Sequence, residues 1–339
     1  MGRYIGVDLH KNNFMVCFLD GETGEYELCG YRLSELSLFR GELLSGDSVG
    51  VESTGNTRYF VEQIRDCVES VKVINPSQFK VISHSVKKTD RHDAETIAEF
   101  LSKGMIPEVR MKDKKTSQIA SLCHTRDKLV KLRTALKNKI HNILNSYGIQ
   151  IKKESLTSEK GLRSVLQLPV DEIAQVELTV IVSQIRSLNE GIKALDAELS
   201  ERGRSLKGYE NITSIKGIGP KSGTILLSVI GDINDFESEK KLAAYFGIVP
   251  RVSNSNETTH SGRITKRGSK IGRTTLVQCT LIAIKYSPYL NLFYQRIKER
   301  KGSGKAIIAT AKKLLGVIYM TLKEDVIFEN FPQFLMKTT

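Results

Sequence analysis

Short runs rich in apolar residues open the chain and read as strands: Tyr4-Ile5-Gly6-Val7-Asp8 first, then Asn13 to Leu19. Gly21-Glu22-Thr23-Gly24 turns the chain into a third strand at Tyr26-Glu27-Leu28. A helix is expected from Ser34 to Leu44, and Ser48-Val49-Gly50-Val51-Glu52 reads as a buried strand that ends in a carboxylate. Asn56 is placed to cap a helix running through Cys67. Val71-Lys72-Val73-Ile74 makes a further strand, stopped by Asn75-Pro76.

Strand-strand-strand-helix-strand-helix-strand is the order of a ribonuclease H-like sheet. Beyond it the period changes. Ile119, Leu122, Leu129, Leu132, Leu136, Ile140 and Ile143 recur at helical spacing over residues 116 to 147, without Gly or Pro. Ile173, Val176, Ile181, Ile185, Leu188, Ile192, Leu195 and Leu199 repeat the pattern after a Leu168-Pro169 break, which predicts a helical hairpin or coiled coil. From Asn211 onward helices alternate with Gly-rich loops, ending in a helix around Ala306 to Leu322. The expected organisation is α/β plus α: a domain over 1–110, a helical insertion over 111–207 and a mainly helical domain over 208–339.

Charge narrows the choice of partner. Lys and Arg number 51 against 38 Asp and Glu in 339 residues, a net +13 that favours a polyanion, since each neutralised phosphate releases counterions. On the first long helix Arg126, Lys131, Arg133 and Lys137 read equally well as a solvated face and as nucleic-acid contacts. The five cysteines are scattered and never form a C-x-x-C pair, which argues against a disulfide framework or a zinc site and suits a reducing cytosol. No signal peptide or membrane-length apolar run is present, so a cytoplasmic, nucleoid-associated protein is expected, with no membrane partner.

Four acids carry the candidate chemistry. Asp8 and Glu52 each end an apolar strand, where a lone buried carboxylate is costly. Asp90 and Asp93 open a helix in Lys88-Thr89-Asp90-Arg91-His92-Asp93-Ala94, and a three-residue step places both on one helix face. Thr89 with these acids also fits a plain N-cap with dipole-complementing charge. Converging carboxylates repel unless divalent cations sit among them, and hard oxygen donors select Mg²⁺, or Mn²⁺, over zinc. Ile215-Lys216-Gly217-Ile218-Gly219-Pro220-Lys221-Ser222-Gly223 resembles a helix-hairpin-helix DNA-binding loop, with Lys216, Gly217, Gly219 and Lys221 at the phosphate.

Gly6-Val7-Asp8-Leu9-His10-Lys11, Val51-Glu52-Ser53-Thr54-Gly55 and the Asp90–Asp93 block resemble, in order and spacing, the three blocks of DEDD-type insertion-sequence transposases. That family includes bridge-RNA-guided recombinases and is related to a pilin-gene invertase. Leu242-Ala243-Ala244-Tyr245-Phe246-Gly247-Ile248-Val249-Pro250-Arg251, a polar loop, and Gly262-Arg263-Ile264-Thr265-Lys266-Arg267-Gly268-Ser269 with Arg273 look like its second signature. The resemblance implies a Holliday-junction-resolvase-like fold whose Asp8, Glu52, Asp90 and Asp93 bind Mg²⁺. It also implies a nucleophilic serine in the loop after Pro250-Arg251, which falls on Ser255. Relatives have Ser-Gly there, whereas Ser255 precedes Asn256, and Ser253 and Ser261 stand close enough to compete. Arg251, Lys266, Arg267 and Arg273 are then expected to hold DNA phosphate.

The resemblance further implies double-stranded DNA and a structured guide RNA as partners, and a dimer or tetramer of the chain. Two other readings use part of the same pattern. A metal-only junction-resolving nuclease needs the acids and no serine. A sugar-kinase-like ATPase shares the sheet order but calls for a second phosphate-binding Gly loop, which the chain lacks.

Overall fold

The computed structural model describes residues 2–75, 79, 89–109, 111–255 and 258–333, and the side chains of 252–261 lie outside the described residues. The chain forms two compact units, Met1–Met111 and Lys112–Thr339.

The first unit is built on a five-stranded sheet of order β3-β2-β1-β4-β5. Strands β1 (Tyr4–Leu9), β2 (Asn13–Leu19) and β3 (Tyr26–Arg32) form an antiparallel meander. β4 (Ser48–Glu52) runs parallel to β1, and β5 (Ser70–Ile74) parallel to β4. Odd positions of β1, Ile5, Val7 and Leu9, join Val49 and Val51 of β4 in a core covered by α1 (Leu36–Glu42) and α2 (Thr57–Ile64). Phe14, Phe39 and Phe60 pack there with ring centroids 5.2–5.9 Å apart. Even positions face the other way, because strand side chains alternate. On that face lies α3 (Asp90–Ser102), with Ala94 and Ala98 against Cys17.

Two glycines let α3 settle directly onto the sheet. Gly6 and Gly50 are register partners on β1 and β4. A methyl group on Gly6 would overlap the Ala94 carbonyl oxygen and stand 2.5 Å from the Ala98 amide nitrogen. One on Gly50 would stand 2.9 Å from Ile97 Cγ2. Each glycine sits two residues before a strand-end acid, so the surface that seats the helix continues into Asp8 and Glu52.

Local expectations fail where tertiary partners outbid local ones. β3 runs to Arg32 rather than ending at Leu28, since Cys29, Gly30 and Tyr31 find partners in Val16, Met15 and Phe14. The helix expected from Ser34 begins as a single 3₁₀ turn over Leu33–Glu35. Asn56 occupies the N-cap position of α2 without capping it. Its amide donates to the His10 carbonyl (2.8 Å) and its Oδ1 accepts from the Thr54 hydroxyl (2.9 Å). α2 ends at Ile64, short of Cys67.

In the second unit α4 (Lys114–Ser146) and α6 (Glu172–Gly203) form the predicted helical hairpin, with a short α5 (Glu159–Val165) in the connection that the sequence pattern did not reveal. At one end Ile140, Ile143 and Leu144 pack with Leu162, Val165, Leu178 and Val182. At the other, Ile119, Cys123 and Leu199 enter the core of a helical assembly made of α7 (Tyr209–Ser214), α8 (Pro220–Ile230), α9 (Glu239–Tyr245), α10 (Lys270–Tyr286), α11 (Pro288–Lys301) and α12 (Ser303–Lys323). α8 is the central helix, buried at every position from Gly223 to Ile230. The stretch expected as a polar loop is instead a hairpin of β6 (Pro250–Ser255) and β7 (Thr258–Ile264). Val252, Thr258, Thr259 and Ile264 favour extended backbone, a signal outweighed in the sequence by the surrounding Asn and Ser. Among the described residues no helix is long and apolar enough to cross a membrane.

Gly6→Ala is expected to destabilise the first unit by roughly 3 kcal/mol, because backbone rather than a side chain must yield. Thermal unfolding followed by circular dichroism checks this, and a variant within 1 °C of the parent (about 0.3 kcal/mol or less) contradicts it.

Candidate functional site

Asp8 lies one residue before the end of β1, Glu52 ends β4, and Asp90 and Asp93 occupy the first turn of α3. The parallel pairing Gly6↔Gly50 and Val7↔Val51 brings the Asp8 and Glu52 ends of the two strands side by side, and both residues share the face that carries α3. Thr89 caps that helix, its hydroxyl accepting from the His92 amide at 3.3 Å. The cap orients the first turn, so the N-cap and acidic-site readings of Thr89-Asp90-Arg91-His92-Asp93 hold together. Behind Glu52 the turn is fixed by the Thr57 hydroxyl, which donates to the Glu52 carbonyl (2.8 Å) and accepts from the Thr54 amide (2.7 Å).

Asp8 is only 5% exposed. Burial, against the opposing pull of His10, pushes its carboxyl up to about 6, and the charges of Asp90, Asp93 and Glu52 push the same way. All three acids therefore lie within electrostatic reach of Asp8. One buried carboxylate repelled by three more exposed ones is a donor set suited to a divalent cation, which relieves both the desolvation and the repulsion.

The residue that sequence reasoning passed over is His10. Its Nε2 stands 3.2 Å from Asp8 Oδ2 and 3.4 Å from Asp90 Oδ2. Donor atoms of Asp8, His10 and Asp90 all lie within 4.8 Å of one another. The sequence signal was the Asp8-Leu9-His10 spacing itself, but nothing in it fixed the direction of the chain after β1. The His10 amide bonds the Asn13 carbonyl (2.9 Å), and its own carbonyl accepts from Asn56.

The second unit places the basic residues in several settings. In the hairpin before α8, Lys216 and Gly219 are exposed, and a side chain at Gly219 would meet open space. Gly217 serves packing: its φ is 108°, and a methyl group there would lie 2.6 Å from the Ala283 amide of α10. Lys221 stands 3.6 Å from Asp196 of α6. Arg126 makes a 2.8 Å bond to the same Asp196, and Arg133 a 2.8 Å bond to Asn189, so both tie α4 to α6. Lys131 pairs with Asp127 one turn away, while Lys137 is half-buried, its pKa lowered by burial and by the charge of Arg133.

Around the β6–β7 hairpin, Arg273 donates to the Phe246 and Gly268 carbonyls (3.2 and 3.1 Å) and so braces the loop after β7. Arg251 reaches the Thr265 carbonyl at 3.5 Å, and Lys266 and Arg267 are exposed. Ser255 closes the hairpin opposite Thr258, and Ser253 pairs with His260. The side chains of Ser253, Ser255 and Ser261 fall outside the described residues.

The acidic cluster stands on a mixed sheet, and comparison with known proteins shows the class of the chain, an enzyme that cuts and rejoins DNA. Residues 209–295 match the family model described as "Transposase IS116/IS110/IS902 family", and residues 5–149 match the model of the DEDD transposase domain of IS110 elements. The chain belongs to the IS110/IS116 family of transposases. It is 26% identical to the transposase for insertion sequence element IS1111A of Coxiella burnetii, over 94% of this chain and 89% of that protein. It is 25% identical to a probable family 20 transposase of Pseudomonas aeruginosa (95% and 97% covered) and 26% identical to the pilin gene-inverting protein of Moraxella lacunata (96% and 98%). The DEDD domain of this family implies a divalent metal.

Two measurements follow from this geometry. A carboxyl raised from 3.8 to about 6 stays protonated in the folded chain where the unfolded chain has already ionised. Stability in metal-free buffer therefore falls as pH rises between these values and stays lower above them. Asp8→Asn removes that penalty and is expected to exceed the parent by about 1–3 kcal/mol in urea unfolding with EDTA at pH 8, with no difference near pH 3.5. Arg126→Ala is expected to cost about 1 kcal/mol by loosening α4 from α6. Unchanged thermal unfolding would give Arg126 no role in joining the two helices.

Proposed function

We propose that the chain is a Mg²⁺-dependent, serine-using recombinase of double-stranded DNA, directed to its sites by a structured guide RNA and acting as a dimer or tetramer. The observation that carries the reading is the gathering of Glu52, Asp90 and Asp93 within electrostatic reach of buried Asp8. In this reading 1–110 form a ribonuclease H-like catalytic domain, a view supported by the β3-β2-β1-β4-β5 order with its antiparallel meander and parallel extension. Residues 111–207 form a coiled coil, and 208–339 a C-terminal domain that carries the serine and a helix-hairpin-helix-like element.

Asp8, Glu52, Asp90 and Asp93 would hold Mg²⁺, with Mn²⁺ as a substitute. When bound, the cation supplies charge neutralisation at the attacking and leaving oxygens of a phosphodiester. Ser255 Oγ attacks phosphorus, its proton leaves to a base or solvent, and a serine–phosphate ester forms as the bond to the deoxyribose oxygen breaks. The deoxyribose hydroxyl of a second strand then attacks the serine-linked phosphorus and loses its proton, the Ser255 oxygen leaves and takes one up, and the DNA is resealed. Lys216, Lys221, Arg251, Lys266, Arg267 and Arg273, with Arg126, Lys131, Arg133 and Lys137, supply charge for the backbones of DNA and RNA. Gly217 and Gly219 shape the loop that presents Lys216.

Strand exchange on the element's own ends, with its flanking non-coding RNA and Mg²⁺, tests the proposal. Asp8→Ala is expected to reduce exchange by roughly 10³-fold or more, and Ser255→Ala to abolish the covalent protein–DNA adduct. Exchange retained in Asp8→Ala overturns the metal site. An adduct retained in Ser255→Ala moves the nucleophile to Ser253 or Ser261, and cleavage with no adduct in the parent favours the metal-only nuclease.

A further inference from the structure

Beyond the four acids stands one nitrogen donor. His10 Nε2 lies 3.2 Å from Asp8 Oδ2 and 3.4 Å from Asp90 Oδ2, so a single imidazole nitrogen joins a strand-end acid to a helix-start acid. Adjacent donors around an octahedral cation with bonds near 2.1 Å are separated by about 3.0 Å, and opposite donors by about 4.2 Å. The separations around His10, all within 4.8 Å, fit one shared coordination sphere with little movement.

The imidazole is also placed before any cation arrives. Its residue is anchored at both backbone ends, by the Asn13 carbonyl and by the Asn56 side chain. Asn56 forgoes capping α2 to make that bond. The His10 side chain is 46% exposed, which leaves the donor group open to an incoming hydrated ion. Neutral imidazole is the commonest protein metal ligand among nitrogen donors, and it is softer than carboxylate or water.

From this we infer that His10 is a direct ligand of the divalent cation, shared with Asp8 and Asp90, and that it biases the site toward Mn²⁺ over Mg²⁺. The inference rests on the acidic metal site proposed above and adds a nitrogen to its shell. Mg²⁺ prefers an all-oxygen sphere, whereas transition-metal cations accept an imidazole readily, so the bias follows from the donor set.

Pulsed electron paramagnetic resonance of Mn²⁺ bound to the full chain tests it, with MnCl₂ as the probe and no DNA present. The parent is expected to show coupling to a directly bound nitrogen, and His10→Gln to lose it. The same substitution should weaken Mn²⁺ at least about 10-fold by calorimetry and Mg²⁺ by less. Circular dichroism of His10→Gln should match the parent, since the side chain is half in solvent. Nitrogen coupling absent from the parent, or persisting in His10→Gln, overturns the inference. Asp8→Asn separates the two levels. If it leaves Mn²⁺ affinity unchanged, the acidic site itself fails. If it abolishes binding while the parent shows no nitrogen coupling, the acids stand and His10 does not coordinate.

Discussion

The contact between α3 and the paired glycines of β1 and β4 sets the geometry on which the acidic site depends. Gly6 and Gly50 lie side by side on the sheet, and Ala94, Ile97 and Ala98 rest on them with no room for even a methyl group at either position. Close packing of this kind resists displacement, because protein interiors are as dense as organic crystals. The helix that rests there begins with Asp90 and Asp93, and the strands beneath it end in Asp8 and Glu52. A helix held a side chain's thickness further out would present the same four residues without bringing them together.

That arrangement exchanges stability for chemistry. Burial raises the Asp8 carboxyl, and Asp90, Asp93 and Glu52 push it the same way, so the metal-free unit carries a desolvation and a repulsion of the kind a divalent cation relieves. His10, beside Asp8, acts against the upward shift. Local capping rules give way where they compete with this assembly: Asn56 turns from the start of α2 to hold the chain after β1. Thr89 keeps its cap, because there the cap and the site call for the same backbone.

The second unit follows a different logic. α4 buries its apolar residues toward its two ends, and between them Arg126–Asp196 and Arg133–Asn189 join it to α6, where Ile192 is also buried. Polar joints of this kind contribute modestly to stability but fix which faces meet. Arg273, bound to two backbone carbonyls, acts likewise on the loop after β7. Several cations that looked interchangeable on a basic chain thus have separate employments. Lys216, Lys266 and Arg267 remain exposed.

Much of the fold was legible because it rests on local periodicity. The alternation around Asp8 and Glu52, the helical spacing of Ile119 to Ile143, and the turn residues between strands all lie within a few positions of what they determine. The two strand-end acids and the Asp90–Asp93 step were legible for the same reason. The placement of His10 was not, because its backbone is held by Asn56, 46 residues away. The functions of Gly6 and Gly217 were equally hidden, since each answers to backbone brought from a distant element. The β6–β7 hairpin was obscured by its polar composition, and its strands are decided by pairing with each other. The sequence by itself determined the strand and helix order of the first unit, the two long helices of the second, and where carboxylates stand on them. Only the tertiary structure decided which of those groups meet, because long-range contact is set by packing that no short window of residues encodes.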